Sequence, residues 1–274
     1  MVRTAIQLQT LEEFPESLPE TIARIGRTPL EGVELFGLNG SSPNAVADAL
    51  EEADLEVIGA HVPIGRFERD YQNVVDAYAT IGCDRLIVPL YDADAFASAD
   101  GVAEFATKLS TLATRLAGDG FELLYHNHSF EFTQFANGDE TAYDSLIEAA
   151  TGVDFELDTG LAMYAGVDPI MVLSRHEGRI PIVHLTDSVP GYETTLQVEL
   201  GAGELDVTEC VEVAREAGVE WLVYEHGMTD DILGSLTHAA TKLPMLSHGR
   251  EAVADETSLS TIIDDGSSVS EDVL

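Results

Sequence analysis

The chain has 274 residues with 13 Lys and Arg against 50 Asp and Glu, a formal charge of −37 that repels phosphate backbones and anionic headgroups and argues against nucleic acid or membrane surfaces as partners. At 45% hydrophobic content and a mean hydropathy of +0.05 it is too apolar for an acidic disordered protein, so it is expected to bury a substantial core. Its two cysteines, Cys83 and Cys210, stand far apart with no C-x-x-C pattern, which indicates neither a disulfide framework nor a thiolate metal site.

Short β-rich runs alternate eight times with stretches of helical period. In chain order the pattern predicts a strand over 4–9 and a helix over 15–26, then strand 32–36 with helix 43–53, strand 57–62 with helix 70–81, and strand 85–90 with helix 103–117. The second half repeats the unit as 121–126 with 141–150, 153–158 with 169–174, 180–185 with 207–217, and 221–225 with 230–243. Gly26, Gly82 and Gly218 follow helical runs as C-terminal caps would, and Pro43 suits a first helical turn. Eight such units in about 245 residues match a single-domain (β/α)8 TIM barrel, and no G-x-G-x-x-G follows the first strand to favour a doubly wound sheet. The barrel is expected over 1–246. An acidic tail rich in Ser, Asp and Glu, over 247–274, offers too little apolar surface to fold and is expected to be mobile.

The basic residues comprise eleven Arg and only Lys108 and Lys242. An acid-loaded, lysine-poor surface suits a salt-adapted, haloarchaeon-like source, where molar salt shortens the Debye length to roughly 3 Å and screens self-repulsion. The first residues, MVRTAIQLQTLEEF, lack the apolar core of a signal peptide, and no apolar run approaches about 20 residues, so a soluble cytoplasmic protein is expected.

Polar residues interrupt the ends of six apolar strands: Glu34 in GVELFG, His61 in VIGAHV, His126 and His128 in LLYHNHSFEF, Asp158 in FELDTG, His184 in IVHLTD and Glu225 in WLVYEHG. In a barrel these positions face the C-terminal mouth, where active sites of this fold lie. Singly each has a bland reading, Asp158 as a turn cap and His184 with Asp187 as a structural pair. Asp158, His184 and Glu225, however, come from three consecutive strands and together could hold one divalent ion, Mn²⁺, Mg²⁺, Co²⁺ or Zn²⁺. A fourth ligand is expected from His126, His128 or Glu131 on the preceding strand.

These motifs, with AGVDP and GAGELD, resemble the sugar phosphate isomerase/epimerase family of xylose-isomerase-like TIM barrels from about Gln7 to Glu225. The resemblance implies a divalent metal held by Glu, Asp, His and Glu at the ends of strands five to eight, the last three falling on Asp158, His184 and Glu225. The first ligand departs from the pattern, its place being taken by His126 unless Glu131 reaches the ion. Thr186 replaces the usual lysine of H-L-K-D, and Leu161 the usual tryptophan after D-T-G.

The implied chemistry is metal-dependent isomerisation or epimerisation of a sugar or keto-polyol through an enediolate, an activity of the isomerase class. Glu225 is the expected first base and Glu131 the second, while His61, Glu34, His128 and Glu204 contact substrate. The alternative enzyme is a metal-dependent dehydratase or lyase of a keto-inositol or 3-keto-glycoside, with His126 protonating the leaving group. A nuclease is disfavoured by the charge, and the non-enzymatic alternative is an inactive sugar-binding module. A homo-oligomer is compatible with the sequence.

Overall fold

Alternating patterns of this kind fold as strand–helix units because each strand buries both faces and each helix one. The computed structural model describes residues 2–135, 140–189 and 197–248, so the expected tail from 249 onward lies outside the described residues. Eight parallel strands, β1 (Arg3–Gln7), β2 (Gly32–Phe36), β3 (Glu56–His61), β4 (Arg85–Val88), β5 (Glu122–His126), β6 (Val153–Asp158), β7 (Ile182–His184) and β8 (Trp221–Tyr224), pair in order, and β8 closes onto β1. The helices on the outside are α1 (Leu18–Ile25), α2 (Pro43–Ala53), α3 (Ile64–Ile81), α4 (Ala99–Gly118), α5 (Ala142–Ala149), α6 (Thr159–Tyr164), α7 (Pro169–Arg175), α8 (Val207–Glu216) and α9 (Ile232–His248). Among the described residues no helix is long and apolar enough to cross a membrane.

The architecture is the expected single-domain barrel, and the differences are local. β4 stops at Val88 because Pro89 has no N–H to continue the ladder. α3 starts at Ile64, six residues earlier than the periodicity predicts, and Asp70 breaks its helical dihedrals with φ −153°. Helix α6 was unforeseen; it is nucleated by Asp158, whose side chain caps it. α9 runs to His248, past the expected start of the tail. Gly82 and Gly218 take the left-handed conformation of C-terminal caps, whereas Gly26 does not, with φ −60°. Gly26 is required for space instead, since a Cβ there would lie 2.7 Å from the Cβ of Ala53.

Two layers fill the barrel. The lower one is apolar, built from Ala5, Ile58, Ile87, Leu124, Ile182, Trp221 and Val223, and the Arg3 guanidinium covers the Trp221 ring at 4.0 Å. The upper layer is polar and carries Gln7, Glu34, His61, His126, Glu156 and His184, all buried. Along β3 the period of two would place Ile58 and His61 on opposite faces. A bulge between β2 and β3, where Val33 pairs Val57 but Glu34 pairs Gly59, shifts the phase so that both reach the interior. Gly59 is the residue that permits it, because a Cβ there would meet Ile87 at 2.7 Å.

The outer layer has its own buried carboxylate. Asp144 accepts hydrogen bonds from His176 Nε2 at 2.7 Å and from the Thr141 N–H at 2.8 Å and hydroxyl at 2.7 Å, with Arg175 Nη1 at 3.0 Å. Burial would raise its pKa, but His176, Thr141 and Arg175 together hold it well below the ordinary 3.8. A carboxylate depressed in the folded state contributes stability above its unfolded pKa and loses it as the pH falls further. Asp144→Asn is therefore expected to cost about 2–3 kcal/mol at neutral pH. The difference from the parent protein should close as pH drops below 3.8, as read from urea melts across that range.

Candidate active site and metal centre

The site grows from the C-terminal ends of β5 to β8. Asp158 ends β6, and its Oδ1 accepts the Leu161 N–H at 2.8 Å and the Thr186 hydroxyl. Thr186 Oγ1 in turn accepts the Gly160 N–H at 2.7 Å, so the residue standing where the family pattern has lysine fixes the carboxylate. Asn127 ties β5 to β6 by accepting the Asp158 N–H at 2.9 Å. Oδ2 of Asp158 is buried and has no hydrogen-bond partner.

Three further side chains gather near the Asp158 carboxylate. His184 on β7 has Nδ1 3.0 Å from Oε2 of Glu225, the residue just after β8, while its Nε2 lies 3.1 Å from Glu34 Oε1 and 3.0 Å from Glu156 Oε1. His126 on β5 has Nδ1 2.7 Å from Glu156 Oε1. One ligand atom each from His126, Asp158, His184 and Glu225 lie within 4.8 Å of one another. Two imidazole nitrogens and two carboxylate oxygens form a donor set suited to a divalent transition ion, and the unpartnered Oδ2 of Asp158 is the kind of atom such an ion satisfies. A second group, His61, His126, Glu156 and His184, lies below and shares two of these histidines.

Electrostatics follow from burying four carboxylates, Glu34, Glu156, Asp158 and Glu225, with three imidazoles, His61, His126 and His184. Burial opposes the charge on His61, yet Glu34 and Glu156 at 2.8 and 3.0 Å outweigh it and push its pKa up to about 10. His184 is likewise held well above its ordinary value by Glu156, Glu34 and Glu225, against burial. Glu225 is desolvated, but His184 brings it down to about 2, so it is ionised. Asp158 is raised by burial and by Glu225. His128 is lowered to about 4 by burial and by neighbouring His126, and is neutral.

A cavity of about 610 Å³ opens above the cluster. His61, His126, His128 and Glu225 face it, joined by Gln9 and Gln197. Some expected contacts lie elsewhere. Glu34 is fully buried, takes Gln7 Nε2, His61 and His184, and is not among the residues that line the cavity. Glu131 stands outside both ligand groups because the FEF segment forms a 3-10 turn, Phe130–Phe132, that turns it back. There it accepts the Tyr125 hydroxyl at 2.6 Å and the His128 N–H at 2.9 Å, and burial raises its pKa to about 7. Glu204 is exposed and outside the cavity wall. Its GAGELD loop serves Asp187, whose carboxylate collects the N–H groups of Ser188, Gly201, Gly203 and Leu205 at 2.9–3.1 Å. Gly203 has no room for a side chain, as a Cβ would come within 2.1 Å of that carboxylate.

Glu156 was missed, although the period of two along β6 places it on the same face as Asp158. Gln7, Gln9 and Gln197 carried no signal stronger than that of ordinary polar residues.

A family model described as xylose isomerase-like TIM barrel matches residues 21–243. No curated protein sequence matches significantly. Among solved structures, a sugar phosphate isomerase/epimerase from Parabacteroides distasonis superposes with a TM-score of 0.74 at 16% identity, over 90% of this chain and 100% of that one. The IolI protein, whose structure carries a bound zinc atom, also gives 0.74 at 14% identity over 90% and 99% of the two chains. AsbF of Bacillus anthracis, a probable 3-DHS dehydratase, gives 0.68 at 11% identity over 87% and 97%. At these identities the likeness to solved structures speaks for the fold alone.

Proposed function

The chain belongs to the xylose isomerase-like TIM barrel family, and from that premise we propose that it is a metal-dependent isomerase or epimerase of a small sugar or keto-polyol. The observation that supports this most is the convergence of ligand atoms from His126, Asp158, His184 and Glu225, within 4.8 Å of one another at the floor of an open cavity, with Oδ2 of Asp158 left unpartnered. The upper group is the better ion site, since Glu225 reaches the cavity. In the lower group, Glu156 Oε1 already lies 2.7–3.0 Å from three imidazole nitrogens. When bound, a divalent ion would polarise a substrate carbonyl and stabilise the negative charge that develops on its oxygen.

The proton work falls to this chain's own side chains. Glu225, ionised and facing the cavity, removes the proton at the carbon beside the carbonyl. With Glu131 turned away, the returning proton comes from an imidazole, and His61, which faces the cavity, keeps a proton through neutral pH. Gln9 and Gln197 offer hydrogen bonds to hydroxyls.

A second reading, a dehydratase or lyase acting on a keto-inositol or 3-keto-glycoside, has an observation of its own. Among the described residues, the titratable groups on the cavity wall are one carboxylate and three imidazoles, an asymmetric set in which Glu225 takes a proton and a cationic imidazole gives one to a departing hydroxyl or alkoxide. The two readings separate in one assay: ketoses, inososes and 3-keto-glycosides supplied with Mn²⁺ in D₂O and followed by NMR. The charge of −37 suits a cell at high salt, so molar KCl is the proper medium. Deuterium at the carbon next to the carbonyl is expected, and loss of water or of an aglycone would select elimination. A panel without exchange or elimination would overturn both.

A further inference from the structure

The cavity is chemically divided. Three of its titratable groups are deep, with His126 at 3%, His61 at 5% and Glu225 at 7% exposure, His128 is half-buried, and the rim around them is largely apolar among the described residues. Phe36 ends β2, Leu90 follows β4, Leu161 follows β6 and Met228 follows β8, so in a closed eight-stranded barrel these four form two opposed pairs across the mouth. Leu90 is 51% and Met228 52% exposed, two of three large apolar side chains left this open among the described residues. On a surface so dominated by carboxylates, leaving such groups in water at the lip of a functional cleft marks a recognition surface.

Size and charge narrow what binds there. About 610 Å³ lies in the middle of the roughly 300–1,000 Å³ typical of sites for drug-sized ligands, more than a bare sugar ring fills. No Lys or Arg is among the described lining residues. Arg66 opens instead on an adjoining recess of about 250 Å³, and Arg69 packs against Gly65. Among the described residues the cationic group that faces the cavity, His61, lies at its floor, so an anionic substituent at the rim would find no cation beside it.

We propose that the substrate is a neutral keto-sugar or keto-polyol carrying an aryl or alkyl substituent, gripped between Leu90 and Met228 while its carbonyl end lies over the titratable floor. This rests on the sugar reading above and adds the substituent to it. The test is isothermal titration of the Zn²⁺-loaded protein in molar KCl with phenyl β-D-glucoside, methyl β-D-glucoside, glucose 6-phosphate and phenol; the two glucosides, whose anomeric carbon is locked, and phenol offer no carbonyl to turn over. The phenyl glucoside is expected to bind about tenfold or more tightly than the methyl glucoside, from the apolar area the ring buries. Leu90→Ser combined with Met228→Ser, both at exposed positions, should bring the phenyl glucoside down to the level of the methyl one.

Equal affinity of the two glucosides, or tighter binding of glucose 6-phosphate, would overturn the substituent and leave the sugar reading standing. Phenol bound as tightly as its glucoside, or no binding by either glucoside, would overturn the sugar reading and the substituent with it.

Discussion

Glu225→Gln is expected to lower turnover by about 10³-fold or more, combining loss of the base, worth roughly 10²–10⁴, with a weaker oxygen donor to the ion. The fold should survive. The buried cluster holds four carboxylates against three imidazoles, so removing one negative charge reduces the imbalance, and the amide retains an oxygen toward His184. The measurement pairs initial rates with metal-free melting curves. A variant that keeps both its fold and full activity would remove Glu225 from the chemistry.

Addition of Mn²⁺ or Zn²⁺ at about a hundred times its dissociation constant should raise the melting temperature by roughly 5–10 °C, the equivalent of about 2.7 kcal/mol in a chain of this size. The effect carries a sign in pH. His184 keeps its proton above its ordinary value because Glu156, Glu34 and Glu225 surround it, and an ion bound to that ring must displace the proton. Stabilisation by metal should therefore grow as the pH rises and shrink as it falls. Asp158→Asn should abolish it, since Asp158 is one of the four residues whose ligand atoms converge and its Oδ2 has no other partner. Melting curves that ignore the metal at every pH would dismiss the ion site.

The barrel was legible because its signals are local: strand runs, glycine caps such as Gly82 and Gly218, and a polar residue at the end of most strands. Asp158, His184 and Glu225 could be picked out because a carboxylate or imidazole closing an apolar run needs a reason. What stayed hidden depends on phase and on pairing. The inward turn of His61 depends on a bulge visible only in the register of β2 with β3. Glu156 is not singled out by the sequence, though it shares a face with Asp158 and gathers three histidines. Glu131 stood as the alternative to His126 for the fourth ligand, and a single 3-10 turn directs it to Tyr125. Thr186 looked like a loss of lysine and proved to be the tether of Asp158.

The apolar layer under the polar cluster, with Trp221 at its base and Arg3 across it, makes the barrel a blind alley. Molecules arrive and depart by one doorway, so a product blocks the next arrival until it has left. Accumulated product should compete directly with substrate, and the bulkier the fragment released, the more its exit sets the pace.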